Sequence, residues 1–151
     1  HSELMLTDHG PVLIETAARM QGTILHEAVV AAIGSSHVTT TVDRYLNPET
    51  FKRHVDEAYE LGAVLYCVTL QSSLEGTVRE NRVHKLVSTL PSFFAMFHTP
   101  EHGERIHRTT DLFSNPGIIY LLHQNRAQLE CDYAKIRAWE AAGELFAVEA
   151  A

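Results

Sequence analysis

The sequence predicts an α+β protein, and three observations carry that prediction. The first fifteen residues read as a β-hairpin. Helix-forming segments fill Thr23 to Tyr59. Beyond residue 62, short β-rich runs lead into one long amphipathic helix.

His1-Ser2-Glu3-Leu4-Met5-Leu6-Thr7 alternates polar and apolar residues, as a strand does. Asp8-His9-Gly10-Pro11 is a turn in which Gly10 can take positive φ, and Val12-Leu13-Ile14-Glu15 returns as the second strand. An opening on a strand predicts that the N-terminal portion of a longer chain precedes it. Thr23–Ile33 has helical spacing and stops at Gly34, and a second helix spans Val38–Leu46. Asn47-Pro48 breaks that helix, and Pro48 opens a further segment reaching Tyr59.

Leu61-Gly62 reads as a boundary. It divides residues 1–62, a hairpin with its helices, from a small mixed unit at 63–151. In the second unit, 63–70 is β-rich, Gly76-Thr77-Val78 starts another strand, and 81–90 is a short helix stopped by Pro91. Phe93–His98 is a strand followed by a turn at Gly103, and Ile118–Leu122 is a buried strand. Asn125 caps a helix running to Ala142, with Leu129, Tyr133, Ile136 and Trp139 on its core-facing stripe. Gly143 ends it, and 145–148 returns as an edge strand.

With 151 residues the chain can bury a sizeable core. Its 45% hydrophobic and 21% charged content is that of a soluble globular protein. A net charge of −7 argues against nucleic acid as a partner, since phosphate contacts need a basic surface. The longest nearly apolar run, Ala28–Ile33, is far short of the roughly 20 residues that cross a membrane. No signal peptide is visible, so the chain reads as cytoplasmic. Cys67 and Cys131 are isolated and read as reduced and buried.

Glu3 and Glu15 lie on opposite arms of the hairpin, which predicts that their carboxylates face one site. Two carboxylates on neighbouring strands suit a hard divalent cation such as Mg²⁺, which bridges nucleotide phosphates. Arg19, four residues past Glu15, adds a fixed positive fork nearby. The plainer reading of the same residues is a solvated hairpin whose acids keep its edge soluble.

The segment HSELMLTDHGPVLIETAARMQG resembles the ATP-grasp pattern H-x-E-…-G-P-x-x-I-E-x-N-x-R-x-x-G. More loosely, Gly76 to Glu140 is similar to the small C-terminal domain of amino-acid ligases and other carboxylate–amine ligases of that superfamily. The resemblance implies the C-terminal part of an ATP-grasp fold, with residues 1–62 in the ATP-binding lobe and 63–151 as a small C-terminal α+β domain. It implies that Glu3 and Glu15 bind the metal and that Arg19 contacts phosphate or an acyl-phosphate intermediate. By the same resemblance Met5 and Ile14 line the adenine pocket, ATP and Mg²⁺ are the cofactors, and a carboxylic acid and an amine are the substrates.

Position 17, usually a metal-ligating Asn in the pattern, is Ala17, which bears on how many metal sites the hairpin holds. The three lysines, Lys52, Lys85 and Lys135, do not match the phosphate-binding lysines of the family. The chain therefore reads as one wall of an active site whose other wall belongs to a missing N-terminal half. Other classes stay open: a non-catalytic fragment, or a small-molecule-binding regulatory domain. The oligomeric state is also open, a homodimer among the options.

The remaining motifs favour plainer readings. His26-Glu27 would need histidine at position 30 for a zincin helix, and that position is Val30. His98, His102 and His107 read as exposed loop histidines, Gly34-Ser35-Ser36 lacks the lysine of a phosphate loop, and Ser72-Ser73 lacks the glycines of a nucleophile elbow.

Overall fold

The structure is a computed structural model that describes residues 1–58 and 60–149. Tyr59, the expected end of the segment opened by Pro48, lies outside the described residues, as do the last two residues of the 63–151 unit.

Strands β1 (Ser2–Thr7) and β2 (Gly10–Thr16) form the antiparallel hairpin the alternation predicts. Its turn needs glycine, because Gly10 has φ of 104°, and the Thr7 hydroxyl donates to Gly10 O at 2.8 Å to close it. Helix α1 (His26–Ile33) starts three residues later than its spacing suggests, since Leu25 is still extended with ψ of 109°. Gly34, at φ of 80°, ends it in the left-handed conformation. Helix α2 (His37–Leu46) opens on a capping box between Ser36 and Thr39, and α3 (Pro48–Asp56) has proline in its first turn.

The chain then builds β3 (Val64–Thr69), β4 (Gly76–Asn81), α4 (Val83–Val87), β5 (Phe93–Phe97), β6 (Arg105–Ile106), β7 (Ile118–His123), α5 (Arg126–Ala142) and β8 (Phe146–Glu149). The two-residue β6 had no signal in the sequence. One antiparallel sheet has the order β3-β7-β5, and a second has β6-β4-β8, with β8 at an edge as expected. The central strand β7 is covered by α5 and by α1, which explains its unbroken apolar sequence.

The core lies almost wholly in residues 63–149. Leu70, Ile119, Leu121, Leu129 and Ile136 are fully buried. Burying each such side chain contributes about 1.5–3 kcal/mol. Among the described residues of 1–58, only Ala28, Ala32 and Ser36 are buried. Both faces of the hairpin are open: Leu4, Met5, Leu6, Val12, Leu13 and Ile14 are all more than half exposed. Ala32 O, near the end of α1, accepts the N–H groups of Gly62 and Ala63 in the segment that leads into β3.

Two expectations need correction. Tyr133 is 38% exposed, whereas its neighbour Asp132 is fully buried among the α5 core residues. Apolar spacing could not reveal that the core takes a carboxylate and supplies it with donors. Cys67 and Cys131 are exposed rather than buried. Cys131 lies two positions from Leu129 and so turns away from the core, and Cys67 alternates with buried Val68 on β3. No described helix is long and apolar enough to cross a membrane.

Candidate functional site

Glu3 pairs directly with Glu15 across the hairpin. Cross-strand partners share a face, so both carboxylates stand on the same side of the ribbon. A β-bulge makes this face continuous. The register shifts after Glu3, leaving Ile14 unpaired, so that Leu4 meets Leu13 and Met5 meets Val12. In a regular strand, residues three apart point to opposite sides. The bulge instead places Val12 and Glu15 on the face of Glu3 and Met5.

His1 joins this face, two residues before Glu3 in the same alternation. One ligand atom from each of His1, Glu3 and Glu15 lies within 4.8 Å of the other two, the one such convergence of three ligating groups among the described residues. His1 Nε2 is 3.6 Å from Glu3 Oε1, and its Nδ1 is buried without a hydrogen-bond partner. His98, His102 and His107 make no comparable group. His1 opens the motif without a role implied by the resemblance, and its i, i+2 relation to Glu3 is the signal in the sequence that places it on this face.

Two like charges placed directly opposite each other destabilise a strand pair unless something offsets them. The donor chemistry fits a hard cation, with two carboxylates at the centre of the group. Mg²⁺ holds opposed oxygen ligands about 4.2 Å apart. Adjacent ligands of one such cation stand closer, about 3.0 Å apart, so the three atoms, within 4.8 Å of one another, would have to draw together around a bound ion.

The other residues singled out by sequence take distinct places. Arg19 is exposed and donates only to Met20 O, at 3.3 Å. It lines an open cleft with His1, Ala17, His37, Thr40 and Thr41, so α2 forms the wall opposite the hairpin base. His1 belongs to both the carboxylate group and this cleft, and so links Arg19 to the two glutamates. Ala17 continues the ladder through its N–H to His1 O at 2.8 Å and offers no side-chain ligand. Met5 shares the carboxylate face, and Ile14 occupies the bulge beside Glu15.

The segment after Arg19 is fastened to the β3-β7-β5 sheet. Tyr120 on β7 donates its hydroxyl to Thr23 O at 2.9 Å. Burial, with the neighbouring Cys67, raises the Tyr120 hydroxyl to about 12.

No protein-family model matches the chain. Over 146 residues it is 29% identical to dapdiamide A synthase of Enterobacter agglomerans, a match covering 93% of this chain and 34% of that protein. Its fold matches an L-amino acid ligase from Bacillus licheniformis with a TM-score of 0.74 at 17% identity, over 99% of this chain and 37% of that one. It also matches phosphoribosylglycinamide synthetase from Anaerococcus prevotii, with a TM-score of 0.69 at 13% identity, over 98% of this chain and 36% of that one. The chain thus spans about a third of the length of the relatives it matches. Over that third its α+β fold matches that of both solved structures, in keeping with the fold that the motif resemblance implied.

Proposed function

We propose that this chain is the metal-binding C-terminal portion of an ATP-dependent carboxylate–amine ligase, working in the cytoplasm. The observation that supports the reading best is the direct pairing of Glu3 with Glu15 on one hairpin face, with His1 beside them. Residues 1–62 belong to the ATP-binding lobe in this reading, and 63–151 form the small C-terminal domain. The open apolar faces of the hairpin are the surfaces against which the nucleotide and the N-terminal half of the enzyme would close.

In the reaction proposed, a substrate carboxylate oxygen attacks the γ-phosphorus of ATP, giving an acyl phosphate and ADP. The amine nitrogen then attacks the acyl carbon, the carbon–oxygen bond to phosphate breaks, and the amine gives up a proton as phosphate leaves. Mg²⁺, when bound, draws charge from the phosphate oxygens during transfer. Glu3 and Glu15 would hold that cation. Arg19 would present its guanidinium to the transferring or departing phosphate, at the mouth of the cleft it lines with His1. Met5, on the carboxylate face, and Ile14, in the bulge, would supply apolar contacts for adenine.

Binding of Mn²⁺, a spin-active substitute for Mg²⁺, tests the reading without requiring turnover. Titration of the chain followed by electron paramagnetic resonance should show a site that weakens at least tenfold in Glu15→Gln and in Glu3→Gln. Equal binding by wild type and the double variant would remove the hairpin from the nucleotide–metal site.

A further inference from the structure

Away from the hairpin, an open cleft of about 540 Å³ lies between the residues following β3, the segment 108–109 and the last turns of α5. Ser72, Ser73, Arg108, Thr109, Arg137 and Glu140 line it. Its walls are fixed. Thr109 N–H donates to Ser72 O at 2.9 Å, and Ser72 N–H donates back to the Thr109 hydroxyl at 3.0 Å. Arg108 is therefore carried on a pinned backbone. Across the cleft, Glu140 accepts from Gln71 N–H at 2.7 Å and from Arg137 Nη1 at 3.0 Å, while Arg137 Nη2 donates to Thr69 O at 2.9 Å.

These contacts leave cationic donors in excess. A guanidinium has five N–H groups, and Arg137 Nε is buried with no hydrogen-bond partner. Nη1 and Nη2 each use one N–H, on Glu140 and on Thr69 O, and each keeps a second without a partner among the described residues, so an acceptor arriving in the cleft that Arg137 lines would be met by free donors. Arg108 is exposed and makes no ion pair among the described residues. The charged groups lining the cleft are two arginines against one carboxylate, Glu140.

We propose that this cleft binds the oxyanion of a small molecule, a carboxylate or phosphate group, between Arg108 and Arg137. Planar guanidinium forks match both anions in geometry, and the volume falls in the range of small-ligand sites. Ser73, at the rim, adds a hydroxyl donor. The site is independent of the hairpin and of the ligase reading.

Calorimetric titration of the metal-free chain tests the proposal, with inorganic phosphate in one arm and acetate in the other. At least one arm should show saturable binding, and the arm that does so identifies the class of anion. Arg108→Ala, at an exposed position, should weaken that binding at least tenfold, while Arg53→Ala, at an exposed position on α3 outside both clefts, leaves it unchanged. The absence of saturable binding in both arms would overturn the proposal. So would binding that survives Arg108→Ala, or that weakens as much in Arg53→Ala as in Arg108→Ala.

Discussion

The carboxylate of Asp132, fully buried on α5, accepts both the hydroxyl of Ser92 at 2.8 Å and its backbone N–H at 3.1 Å. Gln128 and Lys135 complete the set at 3.0 and 3.1 Å on the other oxygen. The connection ties α5 to the residue that leads into β5.

Burial pushes the Asp132 carboxyl up, but the bonds from Ser92, Gln128 and Lys135 outweigh it and hold the group below the usual carboxylate range. A depressed folded-state pKa means stability that is fully present above the unfolded value, about 3.9, and is lost as pH falls through the lower folded value. Asp132→Ala strands the Ser92 donors and should cost about 2–4 kcal/mol at neutral pH. Thermal melts of both proteins should show the gap shrinking below about pH 4. A pH-independent gap would show that the charge of Asp132 contributes nothing.

Tyr120→Phe isolates the fastening of the segment between hairpin and α1. It removes the hydroxyl that reaches Thr23 O and keeps the ring that packs edge-to-face on Phe97. The expected loss is about 0.5–1.5 kcal/mol, with faster amide exchange at residues 22–26. Because the Tyr120 hydroxyl stays protonated up to about 12, the fold is favoured fully below pH 10 and loses this contribution as pH rises from 10 to 12. Spectrophotometric titration at the tyrosinate band should show one late-ionising tyrosine, absent from the variant.

Gly117 should not tolerate alanine. Its φ is 141°, and a Cβ there would lie 2.8 Å from Thr99 Cγ2 and 3.0 Å from Phe97 O. Gly117→Ala should cost about 1–3 kcal/mol, measured by denaturant unfolding. Adding Thr99→Ser removes the methyl group but neither the carbonyl contact nor the backbone strain, so it should recover only part of the loss. Complete recovery would mean that the methyl contact alone matters.

How much of this was legible depended on whether a feature was local in the chain. The hairpin, the caps at Asn125 and Gly143, and the helix from residue 126 to 142 follow from spacing and turn chemistry. Those cues act within a few residues. The short turn fixes the register only as far as Leu4 with Leu13, and continued unbroken it would set Glu3 opposite Ile14. The direct pairing of Glu3 with Glu15 needs the bulge at Ile14, and neither strand alone reveals an unpaired residue. Asp132 was missed for a related reason: Gln128 and Lys135 lie within one helical turn, but Ser92, which gives it two of its four hydrogen bonds, is forty positions away. The strand β6 exists only because β4 pairs with it, and two residues carry no period to read.

The hairpin supports a final prediction, which separates stability from cation binding. Glu15→Gln removes one of two facing charges and should stabilise the hairpin slightly, by about 0.2–1 kcal/mol, since like charges directly opposite one another repel. The same change removes a charged ligand, so affinity for Mg²⁺ or Mn²⁺ should fall at least tenfold. Function and stability then move in opposite directions, as they do where residues are kept for a ligand rather than for the fold. Ala17→Asn should act the other way. It adds an oxygen where the ATP-grasp pattern has its asparagine, and water would otherwise take that place around Mg²⁺. Its binding midpoint should shift to lower cation concentration with the melting temperature unchanged. Both variants can be compared by Mn²⁺ titration and thermal melting in one buffer. If Glu15→Gln raises the melting temperature and leaves cation affinity intact, the paired glutamates are a solvated strand edge and not a metal site.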